Sequence, residues 1–126
     1  MTSRLHVEHI LLVDDEPSVV FALRLLLQAI GFKVADFSDP YAAIEFIRQG
    51  QRTDLCICDL RMPNLDGLQV LEEIRKIKKD LPFVLMSAHA TDEEADKAAQ
   101  LGSSGFLSKP FTPEDLKDLI AKLEKK

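Results

Sequence analysis

Residues 10–17 read Ile10-Leu11-Leu12-Val13-Asp14-Asp15-Glu16-Pro17. Four apolar residues in a row, without alternation, fit a strand buried on both faces, as in a parallel sheet. Three acids then end the run. Pro17 stands where a first helical residue would be, a place at which its missing amide is not needed. The stretch therefore reads as strand, short acidic loop, helix.

The same pattern recurs along the chain. Short apolar runs stand at Lys33-Val34-Ala35, Leu55-Cys56-Ile57-Cys58, Phe83-Val84-Leu85-Met86 and Gly105-Phe106-Leu107, with helically spaced stretches between them. Pro40 after Asp39 and Pro113 after Thr112 repeat the helix start. Thr91 and Glu94 have the spacing of a capping box, and Gly31 and Gly102 follow helical stretches where a left-handed residue ends a helix. The spacing predicts helices over 17–30, 40–49, 66–79, 92–101 and 113–124. Arg75, Lys76, Lys78 and Lys79 crowd the end of the third helix, which its dipole favours, so this basic run needs no nucleic-acid partner. Five strands alternating with five helices predict an α/β fold: a (βα)5 three-layer sandwich on a parallel sheet. The expectation is one domain over residues 1–126, with its core at about 8–124.

Composition bounds the rest. The 126 residues are 46% hydrophobic and 29% charged, near the globular average, which argues against disorder and coiled coil. Sixteen basic residues against 21 acidic give a net charge of -5, poorly suited to direct nucleic-acid binding. No apolar stretch approaches the ~18 residues of a membrane span. Met1 to His9 hold no apolar segment of a secretory signal. Cys56 and Cys58 share one face of a strand, too close in sequence for an ordinary disulfide, and read as reduced buried thiols. Their C-x-C spacing suits neither a redox motif nor a zinc ribbon. A cytoplasmic location is expected. His6 and His9 could form one side of a metal site, but without two further ligands they read as a solvated tail.

In a doubly wound sheet, ligands bind outside the carboxyl ends of the strands. The first run ends in Asp14-Asp15-Glu16, the third in Asp59, the fourth in Ser87 and the fifth in Ser108-Lys109-Pro110. Three carboxylates, a hydroxyl and an ammonium would then face one sheet edge. Asp14, Asp15 and Asp59 repel one another, which should raise the pKa of at least one. A hard divalent cation relieves that repulsion, and few carboxylate oxygens suit Mg2+. With a lysine and a hydroxyl, such a cation can neutralise a transferring phosphoryl group, for which an aspartate is a competent nucleophile. Each residue alone has a blander explanation: Asp14-Asp15-Glu16 as a helix cap, Asp59 as a turn, Ser87 as a small loop residue, Lys109 as a solvated charge. Their joint placement at four strand ends favours the chemistry.

These motifs make the chain similar to a response-regulator receiver domain of two-component signalling. The matching stretches are Leu11 to Pro17, Asp59-Leu60-Arg61-Met62-Pro63-Asn64-Leu65-Asp66-Gly67, Met86-Ser87-Ala88 and Gly105 to Phe111. The resemblance covers residues 8–124 and implies the flavodoxin-like strand order 2-1-3-4-5, for which a chemotaxis receiver is a standard example. It implies Asp59 as phosphoacceptor. Mg2+ would be held by Asp15, Asp59 and the backbone carbonyl of Arg61, with Asp14 acting mostly through water. Lys109 would bind phosphoryl oxygens, Ser87 would hydrogen-bond the phosphate, and Pro110 would follow a cis peptide bond. Phe106 would be the aromatic switch that responds to Ser87. Phosphorylation would bias the α4-β5-α5 surface toward a partner-binding form.

The implied partners are a histidine kinase or histidine phosphotransfer protein as donor and a downstream effector domain or protein, with a homodimer possible on phosphorylation. Membrane and nucleic acid are not expected. Beyond transfer onto itself and loss of that phosphate, no enzyme activity is implied. Relatives often carry tyrosine and threonine where this chain has Phe106 and Ser87, so packing alone must stabilise the aromatic rotamers. Arg61 and His89 occupy the positions that tune dephosphorylation in the family. A free-standing receiver and a piece of a longer regulator read alike.

The first helix is unusually apolar. At about 100° per residue, Val19, Leu23, Leu26 and Ile30 share the expected core face, which leaves Phe21 and Leu25 outward as a docking patch for a phosphodonor or a dimer. Three other readings compete. An aspartate-nucleophile phosphatase would want a carboxylate where Arg61 stands, and a flavin or dinucleotide module would want a glycine- or hydroxyl-rich loop where Asp14-Asp15-Glu16 stands. A phosphate-independent scaffold is disfavoured by intact Asp14, Asp15, Asp59, Ser87 and Lys109.

Overall fold

The computed structural model describes residues 6–124. Strand and helix alternate throughout: β1 (His9–Val13), α1 (Pro17–Ile30), β2 (Lys33–Phe37), α2 (Pro40–Arg48), β3 (Leu55–Asp59), α3 (Gly67–Ile77), β4 (Phe83–Ser87), α4 (Asp92–Gln100), β5 (Gly105–Ser108) and α5 (Pro113–Glu124). The strands form one parallel sheet in the order β2-β1-β3-β4-β5. Strand order, helix count and the layered α/β architecture are those expected, and the helices divide between the two faces.

Strand alternation sorts the core into two layers. On one face, Ile10, Leu12, Leu55, Ile57, Val84 and Met86 pack with Val20, Leu23 and Leu27 of α1 and Leu116, Ile120 and Leu123 of α5. On the other, Leu11, Val13, Cys56, Cys58, Phe83 and Leu85 meet α2, α3 and α4 through residues such as Ile44, Ile47, Val70, Leu71, Ile74 and Ala98. Every residue of β3 and β4 is buried, so their apolar runs are continuous rather than alternating. Cys56 and Cys58 are free and buried, and burial pushes both thiol pKa values up, which keeps them protonated and inert.

Several expectations need correction. The buried face of α1 is centred on Val20, Leu23 and Leu27, with Val19 and Leu26 at its margin and Ile30 half-buried. A helix apolar nearly all round gives periodicity little with which to choose a face. α3 stops at Ile77, because Lys78 is extended (φ -135°, ψ 109°). Arg75 does more than oppose a dipole: its guanidinium donates to the carbonyls of Leu101 (2.8 Å) and Gly102 (2.9 Å), tying the end of α3 to the end of α4. His9 is no solvated tail either. It opens β1 half-buried, with Nδ1 3.7 Å from both Glu8 and Asp54, whereas His6 is exposed.

Pro17, Pro40 and Pro113 open their helices as expected; Asp39 caps α2 through the Tyr41 amide, whereas Glu16 makes no side-chain cap bond on α1. Thr91 and Glu94 form the capping box of α4, and Asp66 with Gln69 forms a second one on α3. Gly67, the first residue of α3, is required for a different reason. A Cβ built there would lie 2.6 Å from the carbonyl oxygen of Asp59 and 2.6 Å from Leu85 Cδ2. The helix thus abuts the end of β3, and its amide donates to the Leu60 carbonyl at 2.9 Å. Gly67→Ala is expected to destabilise the fold by about 1–3 kcal/mol, although alanine is the better helix former, because backbone must move. A lower denaturant midpoint with unchanged slope is the expected observation; an unchanged midpoint would show that the approach can relax.

Candidate functional site

The parallel sheet brings four strand ends to one edge. Asp14 directly follows β1 and is fully buried. Its amide donates to the Phe37 carbonyl at 3.2 Å. Its Oδ1 accepts from the Glu16 amide at 3.0 Å, an Asx-type bond that turns the chain into α1. Asp59 ends β3 and Ser87 ends β4, with exposures of only 5% and 6%. Lys109 follows β5, and its amide continues the ladder to the Ser87 carbonyl at 3.0 Å. The Lys109–Pro110 peptide is cis, as expected.

The charges meet above this edge. Asp14, Asp15 and Asp59 each offer a carboxylate oxygen, all within 4.8 Å of one another. Lys109 Nζ donates to Asp59 Oδ1 at 3.0 Å and lies 3.5 Å from Asp14 Oδ2. At that distance Asp14 Oδ2 gains charge compensation but no hydrogen bond, so it is a buried acceptor without a donor. Burial raises the pKa of Asp14. The Glu16 amide opposes the shift and the charge of Asp59 adds to it. The expectation that one of the three carboxyls is raised holds, with desolvation ahead of mutual repulsion as the cause. Burial opposes the charge on Lys109, but the bond to Asp59 and the charges of both aspartates outweigh it and lift its pKa.

The hydroxyl of Ser87, at the end of β4, accepts from the His89 amide at 3.1 Å. Arg61 and His89 come together, though not through both side chains: the Arg61 guanidinium donates to the His89 carbonyl at 3.0 Å. The same guanidinium is forked onto Glu94, with Nη2 to Oε1 at 2.8 Å and Nη1 to Oε2. Glu94 was legible only as half of a capping box, because its bond to Arg61 spans 33 residues and leaves no local signal. Phe106 is half-buried and packs against the layer formed with α2, α3 and α4.

Phe21 and Leu25 lie apart from this cluster and are 54% and 49% exposed. The Arg24 guanidinium sits 5.5 Å from the Phe21 ring centre. Around α1 from them, Val19, Ala22 and Leu26 line a groove of about 570 Å³ with Lys109, Pro110 and Phe111. Among the described residues, no helix is long and apolar enough to cross a membrane.

The family model of the response regulator receiver domain matches residues 10–121. The chain is 34% identical over 112 residues to the transcriptional regulatory protein GlrR of Escherichia coli (strain K12), covering 89% of this chain and 25% of that protein. It is 35% identical over 109 residues to the alkaline phosphatase synthesis transcriptional regulatory protein PhoP of Bacillus subtilis (strain 168), covering 85% and 44%. It therefore spans less than half the length of these curated relatives. Among solved structures it is similar to the chemotaxis protein CheY4 of Vibrio cholerae, with a TM-score of 0.86 at 27% identity over 94% of this chain and 99% of that one. A response regulator receiver domain protein from Clostridium thermocellum superposes with a TM-score of 0.87 at 28% identity over 94% and 95%. Sequence match and shared fold agree: this chain belongs to the response regulator receiver domains of two-component signalling.

Proposed function

We propose that this chain is one receiver unit that works as a phosphorylation-dependent switch with Asp59 as its phosphoacceptor. The observation that carries this is the Lys109–Asp59 bond of 3.0 Å inside a cluster of three carboxylates at the carboxyl edge of the sheet. A carboxylate oxygen of Asp59 attacks the phosphorus of a phosphohistidine on a histidine kinase or phosphotransfer protein. The P–N bond breaks, the P–O bond forms, and the imidazole leaves with its electron pair. Lys109 then moves from the carboxylate to the phosphoryl oxygens. The Ser87 oxygen already accepts from His89, which leaves its proton free to donate to the phosphate. As Ser87 is drawn toward the phosphate, Phe106 packs further inward, and the α4-β5-α5 surface moves toward the form that engages a downstream effector domain or protein, or a second phosphorylated copy.

The residues present fit a hard divalent cation such as Mg2+. Asp14 Oδ2 is a buried acceptor with no donor, and the donor set is all oxygen. Asp15, Asp59 and the Arg61 carbonyl would hold it, with Asp14 behind them. When bound, it neutralises charge on the phosphoryl oxygens. The chain turns over no external substrate, and a cytoplasmic setting with no membrane and no direct nucleic-acid contact is in keeping with its charge. Arg61, where a phosphatase would want a carboxylic acid, is engaged with Glu94.

The raised pKa of Asp14 sets a sign. The folded state binds this proton more tightly than the unfolded chain, so stability falls as pH rises from the ordinary carboxyl range through the folded value. At neutral pH the buried charge is a full liability unless a cation compensates it. Without Mg2+, Asp14→Asn should therefore melt a few degrees higher than the parent. Addition of Mg2+ should stabilise the parent more than the variant, and a variant that melts lower in chelator would contradict this account.

Intact mass after incubation with a small phosphoramidate tests the acceptor. A Mg2+-dependent gain of one phosphoryl group, absent in Asp59→Asn and lost on standing, is the expected result. A gain that persists in Asp59→Asn would assign the acceptor elsewhere.

Phe21 and Leu25, continuous round α1 with the groove beside Lys109, are proposed to take an apolar helix of the phosphodonor protein. Replacing both by serine should slow transfer from a histidine kinase that phosphorylates the parent by about tenfold or more. Transfer from the small phosphoramidate should be unchanged; equal kinase rates would remove the patch from this role.

A further inference from the structure

Among the described residues, three large hydrophobic side chains are exposed: Phe21 and Leu25 on α1, and Tyr41, which is 55% exposed, at the start of α2. The phosphoryl site makes no use of Tyr41. Tyr41, Ile44, Glu45 and Arg48 follow one another at the three- and four-residue spacing that puts them on one face of α2. That face and α3, with Glu72 and Glu73, line a groove of about 380 Å³, within the ~300–1,000 Å³ of ligand pockets. Ile44 is buried and Leu65, from the loop before α3, is half-buried, so apolar surface lies in the groove beside the exposed ring.

Charge decides what fits. Three carboxylates and one guanidinium line the groove. Arg48 is held by Glu45 at 2.8 Å and Glu73 by Lys76 at 2.8 Å, each pair on its own helix. Glu72 is exposed and has no ion pair among the described residues. The Tyr41 ring is also free of a cation: among the described residues the guanidinium over an aromatic ring is Arg24 on Phe21. An open aromatic face and an uncompensated carboxylate in one groove are the two groups that a guanidinium satisfies together, by stacking its plane and donating from its edge. A lysine ammonium is a compact, strongly hydrated charge and uses the ring less well. An anion would meet three glutamates, and a wholly apolar segment would cover Glu72 without pairing it.

We propose that the α2–α3 groove is a docking site for a basic segment of a partner protein, which seats an arginine against Tyr41 and Glu72 and a neighbouring apolar side chain on Ile44 and Leu65. The site is separate from the phosphoryl site and from the α1 patch, since no strand end and no residue of α1 lines it. The Glu45–Arg48 pair is about half exposed on both sides, contributes little, and can yield as the partner approaches.

The probes are two capped dipeptides, acetyl-Leu-Arg-amide and acetyl-Leu-Gln-amide, titrated into the isotopically labelled chain and followed by its amide chemical shifts. The arginine probe should half-saturate at millimolar concentration, with shifts centred on Tyr41, Ile44, Leu65 and Glu72. The glutamine probe should bind at least about threefold more weakly. Tyr41→Ser and Glu72→Gln should each weaken arginine binding by roughly two- to fivefold. Tyr41→Phe, which keeps the ring, and Asp118→Asn, which removes an exposed acid on α5, should bind as the parent does. Equal binding of the two probes would overturn the proposal by making the groove an apolar patch. Shifts scattered over the acidic surface, undiminished binding in Tyr41→Ser and Glu72→Gln, or no shift at tens of millimolar arginine probe would overturn it as well.

Discussion

The structure turns on an imbalance of charge at one edge of its sheet. Three carboxylates share that edge with one ammonium, and two of them, Asp14 and Asp59, are nearly cut off from water. Like charges about 4 Å apart at the permittivity of a protein surface repel by about 4 kcal/mol. Lys109 cancels part of this through its contacts at 3.0 and 3.5 Å, and the Glu16 amide stabilises one oxygen of Asp14. Neither offsets the cost of burying Asp14, whose pKa is raised by desolvation first and by the charge of Asp59 second. On the proposed function, an edge in this state would attract a cation and, with the cation bound, would tolerate the further negative charge of a phosphoryl group, so that stability given up at the site would be the source of its chemistry.

The fold maintains that imbalance by geometry. Parallel strands must end at one edge, so residues from β1, β3, β4 and β5 meet although as many as 95 positions separate Asp14 from Lys109. Asp59 ends a strand paired on both sides and is itself buried. Gly67 brings the start of α3 into contact with the last carbonyl of β3, a closeness that no residue with a Cβ matches without displacing backbone. Asp14 is fixed by its own Asx-type bond at the entrance to α1. Each restraint is local and modest. Together they prevent the relaxation that would dissipate the repulsion.

How much of this was legible in the sequence depends on whether the signal was local. The strands were, because runs such as Leu55 to Cys58 are unbroken, and so were the proline and threonine helix starts. The site residues were legible as a set, because strand ends in a parallel sheet must converge. Periodicity failed on α1, where apolar residues on nearly every side left Val20 and Leu27 indistinguishable from Leu26 and Ile30. It also overran α3 by two residues, since Lys78 and Lys79 are good helix formers and only the extended backbone at Lys78 ends the helix. The Arg61–Glu94 contact had no signal at all. Glu94 could be read only as half of a capping box and Arg61 only through its place two residues beyond Asp59, and the fold alone brings the two side chains together.

The distribution of packing also bears on which part of the molecule can move. β1, β3 and β4 are buried along almost their whole length, and α1 contributes three buried side chains to the core. α4 contributes one, Ala98, and β5 has one buried residue, Leu107. The α4 sequence, Asp92-Glu93-Glu94-Ala95-Asp96-Lys97-Ala98-Ala99-Gln100, is too polar to be held by the hydrophobic effect. Its attachments are directional instead: the Thr91–Glu94 box, the fork from Arg61 and the grip of Arg75 on Leu101 and Gly102. A segment with few buried apolar contacts and many exposed hydrogen bonds opens at a lower local free energy than a packed core element. A helix held in this way can shift without unfolding the layer beneath it. That layer needs only to remain rigid, and its three buried strands provide this.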